Sequence, residues 1–341
     1  MSFIDLRSDT VTHPTKPMIE AINNAELGDD GWADDPTVNK LQDMAADITG
    51  KQAALFVPSG TMGNLVSVIT HCQRGQEIIV GDQSHLYLYE YAGASAFGGI
   101  SLRQVANQND GTLEISEVEA AIRPMAERFP TTSLVSIENT HNRCNGAVLN
   151  PIYTQKISDM SHSKGAKVHL DGARIFNASV ALGVDVKDLV APVDSLTFCF
   201  SKGLSCPAGS IICGDSEFIN RARHTRNALG GGMRQVGILA AAAIVALNDM
   251  VDRLAEDHAN ASRLAYGLAN IRGISIDPED IYTNIVYFGI ENGSVPEFLK
   301  NLRDKGVLAQ HPYGSRVRMV THYGISQGDI DHTLDMVKSC I

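Results

Sequence analysis

The sequence predicts an α/β fold: a large domain with a mostly parallel sheet flanked by helices, followed by a smaller C-terminal α+β domain. Two observations carry that reading. Short β-rich runs bounded by Gly, Pro or Asp alternate with stretches of helical periodicity along much of the chain. After about Arg234 the texture changes, and a long helical region leads into a compact strand–helix–strand–helix succession. With 341 residues, 44% of them hydrophobic and 20% charged, the chain can bury one large core and a smaller second one.

Taken in order, the predicted strands of the large domain are 53–57, 77–80, 134–137, 167–170, 195–200 and 210–213. Each is a short apolar run that ends near a turn-forming residue. Between them, residues 152–164 place Ile157 and Met160 on one helical face. The most apolar run, Ile238 to Leu247, is ten residues long, too short to span a bilayer, and reads as a buried helix. Further on, Leu254, Ala261, Leu264 and Leu268 can share a helical face. Residues 284–290 and 316–322 read as strands, and 295–305 and 329–340 as helices. The division falls near residue 248, giving an N-terminal segment and large domain over 1–248 and a small domain over 249–341.

Several function classes drop out. A net charge of −11 argues against nucleic acid as the main partner, and the basic run at 221–226 reads as a solvated helix face or a subunit contact. The six cysteines form no CxxC pair, which fits reduced thiols in a cytoplasmic protein. The first residues, MSFIDLRSDTVT, lack the apolar core of a signal peptide, so no membrane association is expected. There is no GxxxxGK[ST], and no GxGxxG follows a predicted strand, which removes P-loop enzymes and nicotinamide dehydrogenases.

Three segments at predicted strand ends remain. LFVPSGTMGN (55–64) runs from a strand through a Pro-Ser-Gly turn into a helix start. It reads either as a simple capped turn or as a phosphate cradle in which Gly60, Thr61 and Ser59 supply donors. KVHLDGARIFNA (167–178) ends a strand at Asp171, where open α/β sheets bind ligands; the alternative is a helix cap beside an exposed arginine. TFCFSKGLSCPAGS (197–210) places Lys202 at the mouth of a strand among small residues expected to leave open space around it. By itself Lys202 reads as a surface residue or as an amine made nucleophilic by partial desolvation. Together, a phosphate cradle, an acid and a lysine in that order are what pyridoxal phosphate requires. The lysine holds the aldehyde as a Schiff base, the carboxylate keeps the pyridine nitrogen protonated, and the turn holds the phosphate.

The chain also resembles the L-threonine aldolases, pyridoxal enzymes of fold type I with an aspartate-aminotransferase-like fold. The resemblance runs nearly end to end through DLRSDTVT (5–12), GDD and DDP (28–36), ALFVPSGTMGN (54–64), ENTHN (138–142), HLDGARIFNA (169–178), SKGL (201–204), LGGGMRQ (229–235) and VTH (320–322). It implies retro-aldol cleavage of L-threonine, L-allo-threonine and related β-hydroxy-α-amino acids to glycine and an aldehyde. It implies that Lys202 holds the cofactor, that Asp171 pairs with the pyridine nitrogen, and that His85 stacks on the ring near the substrate hydroxyl. Gly60 and Thr61, with Ser59, would bind phosphate. Ser8, Arg174 and Arg318 would meet the substrate carboxylate, with Trp32 and Tyr89 on the substrate side and Arg234 near the cofactor. A homotetramer with active sites at dimer interfaces, and a structural cation near Thr10 and Thr12, also follow from the resemblance.

Three positions depart from the family. Trp32-Ala33 stands where Tyr-Gly is usual, Asn227 where a lysine is common, and Arg128-Phe129 where several relatives have His-Phe. Two rival functions stay open at this point. A β-eliminating lyase would release ammonia and an oxo acid from the same site. A non-catalytic binding protein on an inherited scaffold would never take up pyridoxal phosphate, though the joint presence of Lys202, Asp171, Arg174 and Arg318 argues against it.

Overall fold

The structure, a computed structural model, describes residues 3–123, 128–311 and 314–341. The described strands are β1 (Ile4–Asp5), β2 (Ala53–Val57), β3 (Glu77–Gly81), β4 (Ser101–Val105), β5 (Thr132–Glu138), β6 (Lys167–Asp171), β7 (Ser195–Cys199), β8 (Ser210–Gly214), β9 (Ile274–Ser275), β10 (Ile285–Ile290), β11 (Val307–Leu308) and β12 (Arg316–Val320). Seven of them form the central sheet in the order β2-β8-β7-β6-β5-β3-β4. Only β8 runs antiparallel to its two neighbours; the other contacts are parallel. The carboxyl ends of β2, β3, β5, β6 and β7 therefore open on one side of the sheet.

All six strands expected in the large domain form. β4 was not expected: SLRQV is polar and only Val105 is buried, as suits an edge strand covered on one side. β3 and β7, in contrast, are buried at every position, because helices cover both faces. Ser59 caps the helix Gly60–His71, its side chain accepting from Met62 N–H. The run read as a buried helix is the helix Gly237–Asp249, packed against the helices Lys16–Asn23 and Pro36–Thr49. No helix among the described residues is long and apolar enough to cross a membrane.

The C-terminal unit holds the antiparallel sheet β12-β10-β9 under the helices Leu254–Ala269, Val295–Asp304 and Gln327–Lys338. β12 stops at Val320, two residues short of the expectation. Thr321 and His322 leave the ladder: Thr321 Oγ1 donates to the Asp257 carbonyl (2.6 Å), and His322 Nε2 bonds the Asp5 carbonyl (2.7 Å). The N-terminus joins this unit, since β1 pairs in parallel with β11 and Leu6 is fully buried in the second core. Residues 7–15 consequently run between the two cores, and we keep a boundary near residue 248 as a proposal for the large domain alone.

One buried ion pair ties the helix Ser216–Ala228 to the sheet. Arg226, 1% exposed, donates from one terminal nitrogen to Asp30 Oδ2 (2.6 Å) and from the other to the Phe56 carbonyl in β2 (2.9 Å). Removing the acid would strand a buried cation. Asp30→Ala should therefore lower unfolding free energy by about 3–5 kcal/mol, read by urea denaturation.

Candidate active site

The strand ends surround a cavity of about 240 Å³. Asp171 closes β6 and is 4% exposed. Val168 and Leu170 point into the main core, while His169 and Asp171 lie on the opposite face of the same strand. The Asp171 carboxylate accepts from two neutral donors, Asn64 Nδ2 (2.8 Å) and Ala173 N–H (3.1 Å). Burial pushes its pKa up, but His85, Lys202 and the Asn64 bond outweigh burial and hold it below the ordinary value.

His85 follows β3, and its backbone N–H donates to Glu138 Oε2 at the end of β5 (2.7 Å). Its Nδ1 bonds Glu90 Oε1 at 2.8 Å. Burial alone would lower the imidazole pKa; Glu90 and then Asp171 reverse that, so the net shift is upward. Glu90 is itself pushed up, chiefly by burial. Nδ1–H directed at a carboxylate leaves Nε2 to act as acceptor, the arrangement of an oriented general base.

Two arginines border the cavity, and they differ. Arg174 forms a forked pair with Asp9, Nε to Oδ2 at 2.6 Å and a terminal nitrogen to Oδ1 at 2.7 Å, both residues buried. Burial would raise the Asp9 pKa, but Arg174 holds the carboxyl far below the usual range. Arg318 has no carboxylate partner among the described residues. It donates to Gln310 Oε1 (3.2 Å), and its buried Nε has no partner. Ser8 also lines the cavity, and its Oγ accepts from Thr10 N–H (3.3 Å) and Thr10 Oγ1 (2.9 Å). Thr12 Oγ1 reaches both the Asp9 carbonyl (2.9 Å) and the Lys202 carbonyl (3.1 Å), joining the N-terminal segment to the lysine turn. Tyr89 completes the wall beside His85 and accepts from Arg143 at 3.0 Å.

Lys202 lies three residues beyond β7 and reaches the cavity. Open space does lie beside it, since Lys202 borders the cavity of about 240 Å³, and nearby glycines also allow close packing. A Cβ on Gly203 would lie 3.0 Å from Leu254 Cδ2, and one on Gly60 would lie 2.8 Å from Cys199 Sγ. These glycines let neighbouring side chains press close to the backbone at the strand ends around that cavity. Ser59, Gly60 and Thr61 do not line the cavity itself; they head the helix after β2, next to the lysine turn.

Trp32 and Arg234 stand apart from this cavity. Trp32 is 79% exposed. Arg234 is largely exposed and lines a separate cavity with Gly31, Arg226 and Asn227. The Asn227 side chain accepts from Arg226 (3.2 and 3.3 Å), so it is engaged with that arginine. Arg128, the third departure, is exposed, and the neighbouring Phe129 lies under the Arg123 guanidinium.

The site suits pyridoxal phosphate on its own chemistry. Asp171 is a buried acceptor with neutral donors only, matching a ring N–H⁺; the first N–H groups of the helix at Gly60 have no intrahelical partner, matching a phosphate; and Arg318 Nε is an unpaired donor, matching a substrate carboxylate.

The beta-eliminating lyase family profile matches residues 5–291. Low-specificity L-threonine aldolase 1 of Arabidopsis thaliana is 46% identical over 347 residues, covering 100% of this chain and 97% of the relative. The low specificity L-threonine aldolase of Escherichia coli (strain K12) is 45% identical over 325 residues, 95% of each chain. The chain belongs to the L-threonine aldolase family, within the beta-eliminating lyases. Its fold is that of a solved Leishmania major threonine aldolase, with TM-score 0.84, 18% identity, and coverage of 98% of this chain and 99% of that one.

Within this family framework, reading the sequence alone overlooked Asp9, Asn64, Glu90 and His169. His169 was available from alternation, since it stands two residues before Asp171 on the same strand face. Glu90 lies five residues after His85, and Asn64 lies on the helix after the phosphate turn; only folding shows that these two touch. The raised His85 pKa gives a testable sign. A base must be neutral at Nε2, so activity falls as pH drops through the His85 pKa, which Glu90 elevates. Glu90→Gln should move the acid limb of the kcat/KM profile to lower pH; a limb that stays in place would remove Glu90 from this role.

Proposed function

We propose that this chain cleaves L-threonine, L-allo-threonine and related β-hydroxy-α-amino acids to glycine and an aldehyde, with pyridoxal 5'-phosphate as cofactor. The observation that carries this reading is the joining, in one cavity, of Lys202, His85 and Arg318, which has no carboxylate partner among the described residues, with Asp171 directly behind. The threonine aldolase relatives support the same reaction. When bound, pyridoxal phosphate supplies an aldehyde for a lysine and an electron-withdrawing ring that weakens bonds at the substrate's α-carbon.

The chain's own residues supply the rest. The Lys202 amine would hold the cofactor through its aldehyde. Asp171 would hold a proton on the ring nitrogen, His85 would stack on the ring, and Ser59, Gly60 and Thr61 would hold phosphate. Arg318 would be the main anchor of the substrate carboxylate, because Asp9 already neutralises Arg174. Arg174 and Ser8, on the same cavity wall, would then orient that carboxylate. His85 Nε2 would take the β-hydroxyl proton as the Cα–Cβ bond breaks, directly or through water. Tyr89, bonded to Arg143, would face the β-substituent.

Trp32 and Arg234 fit this reading as residues presented to a neighbouring subunit. Both are exposed, and the Arg234 guanidinium lies beside Gly31, next to Trp32. A cytoplasmic homotetramer with active sites at dimer interfaces is the assembly we propose, testable by light scattering.

Incubation with L-threonine should yield glycine and acetaldehyde in equal amounts, and Lys202→Ala should abolish both. Ammonia with 2-oxobutyrate in their place would move the chain to β-elimination. Arg318→Ala should raise KM for threonine by about 10- to 100-fold, the loss of a charge-assisted pair, while Arg318→Lys should recover part of it.

A further inference from the structure

Behind Asp171 runs a buried chain of polar groups that the proposed reaction does not use. Asn64, 1% exposed, sits at its head. Its Nδ2 donates both hydrogens to carboxylates, Asp171 Oδ2 at 2.8 Å and Glu90 Oε1 at 2.8 Å. Its Oδ1 lies 3.1 Å from His169 Nε2. His169 Nδ1 lies 2.9 Å from Ser195 Oγ, and Ser195 Oγ lies 2.7 Å from His71 Nε2.

With both carboxylates ionised and His169 neutral, the polarity of this chain is fixed. Two carboxylates can only accept, so the amide nitrogen of Asn64 must face them and its oxygen must face His169. His169 then carries its proton on Nε2 and accepts at Nδ1. Ser195 donates to that nitrogen and accepts from His71 Nε2–H. This order requires a neutral His169, and burial lowers its pKa to about 4 and that of His71 to about 3. The packing that seats Asn64 is equally tight, for a Cβ on its neighbour Gly63 would lie 2.4 Å from Thr197 Cγ2. The helix Gly60–His71 is thereby pressed against β7, and Asn64 reaches β6.

We propose that Asn64 is a positioning residue: its amide, set one way round by the His169–Ser195–His71 chain, holds Asp171 ionised and oriented toward the cofactor's ring nitrogen. The same amide fixes Glu90, so one side chain links the acid behind the cofactor with the acid behind His85. This inference rests on the reading of the site as a pyridoxal phosphate site. It does not require that threonine be the substrate.

The experiment uses the holoenzyme and three variants, Asn64→Ala, His169→Leu and His169→Gln. The visible absorption band of the bound cofactor is titrated with pH in the absence of substrate, and kcat and KM are then measured with L-threonine. Gln places an amide N–H where His169 Nε2–H stands, so it should keep the bond to Asn64 while Leu loses it. In Asn64→Ala and His169→Leu the midpoint of the band should shift by about one pH unit, with kcat down about 10- to 100-fold and KM little changed. His169→Gln should restore most of both. A folded Asn64→Ala whose band titrates as in the parent protein overturns the proposal, whatever its kcat, because a merely structural role would leave the band in place. Equal behaviour of His169→Gln and His169→Leu overturns the assigned polarity. Where His169→Leu fails to fold by thermal melting, Asn64→Ser takes its place with the same expected shift. Because the band is read without substrate, failure of threonine cleavage would leave this test intact.

Discussion

The constraint on which the site depends is a carboxylate held at the carboxyl end of a strand buried among helices. Removing a carboxylate from water costs several kcal/mol even after relaxation, so Asp171 persists as an anion only because of what surrounds it. Asn64 and the Ala173 N–H meet it directly, and His85 and Lys202 lie close enough to favour its charge. Each of these comes from a different strand end or adjoining helix. The parallel sheet matters because it delivers those ends to one side.

A second constraint is charge balance across the cavity. Two arginines line it, and burial disfavours both charges. Asp9 offsets one completely through a forked pair, which leaves Arg318 as the guanidinium able to receive an outside carboxylate. That asymmetry depends on the N-terminal segment, which reaches the cavity because β1 and Leu6 are locked into the C-terminal unit. Chain ends distant in sequence are thus both required to form one anion site.

Glycines next to the functional residues serve close packing. Gly60, Gly63 and Gly203 each face a strand residue or a helix side chain at a distance that a Cβ would not tolerate without adjustment. They bring helix termini and the lysine turn together, which shortens the reach between groups that must cooperate. The physical demand is close approach of neighbouring side chains to these backbones, beside the cavity that Lys202 borders.

The sequence by itself determined the strand–helix alternation, hence the mostly parallel sheet, and the order of phosphate turn, acid and lysine along it. Those features are local: a run of apolar residues, a turn former and a functional side chain lie within a few positions of each other, as in HLDGAR and FCFSKGL. The edge strand β4 escaped because its polar residues face solvent and its pattern is weak. What only the tertiary structure decided are the partnerships: Asp9 with Arg174 across 165 positions, and Asn64 with Asp171 across 107. It also decided that Trp32 and Arg234 face outward instead of into this chain's own cavity. The reason is physical. Hydrophobic periodicity records which face of an element is buried, but the partner a buried polar group finds depends on which elements the packing brings together.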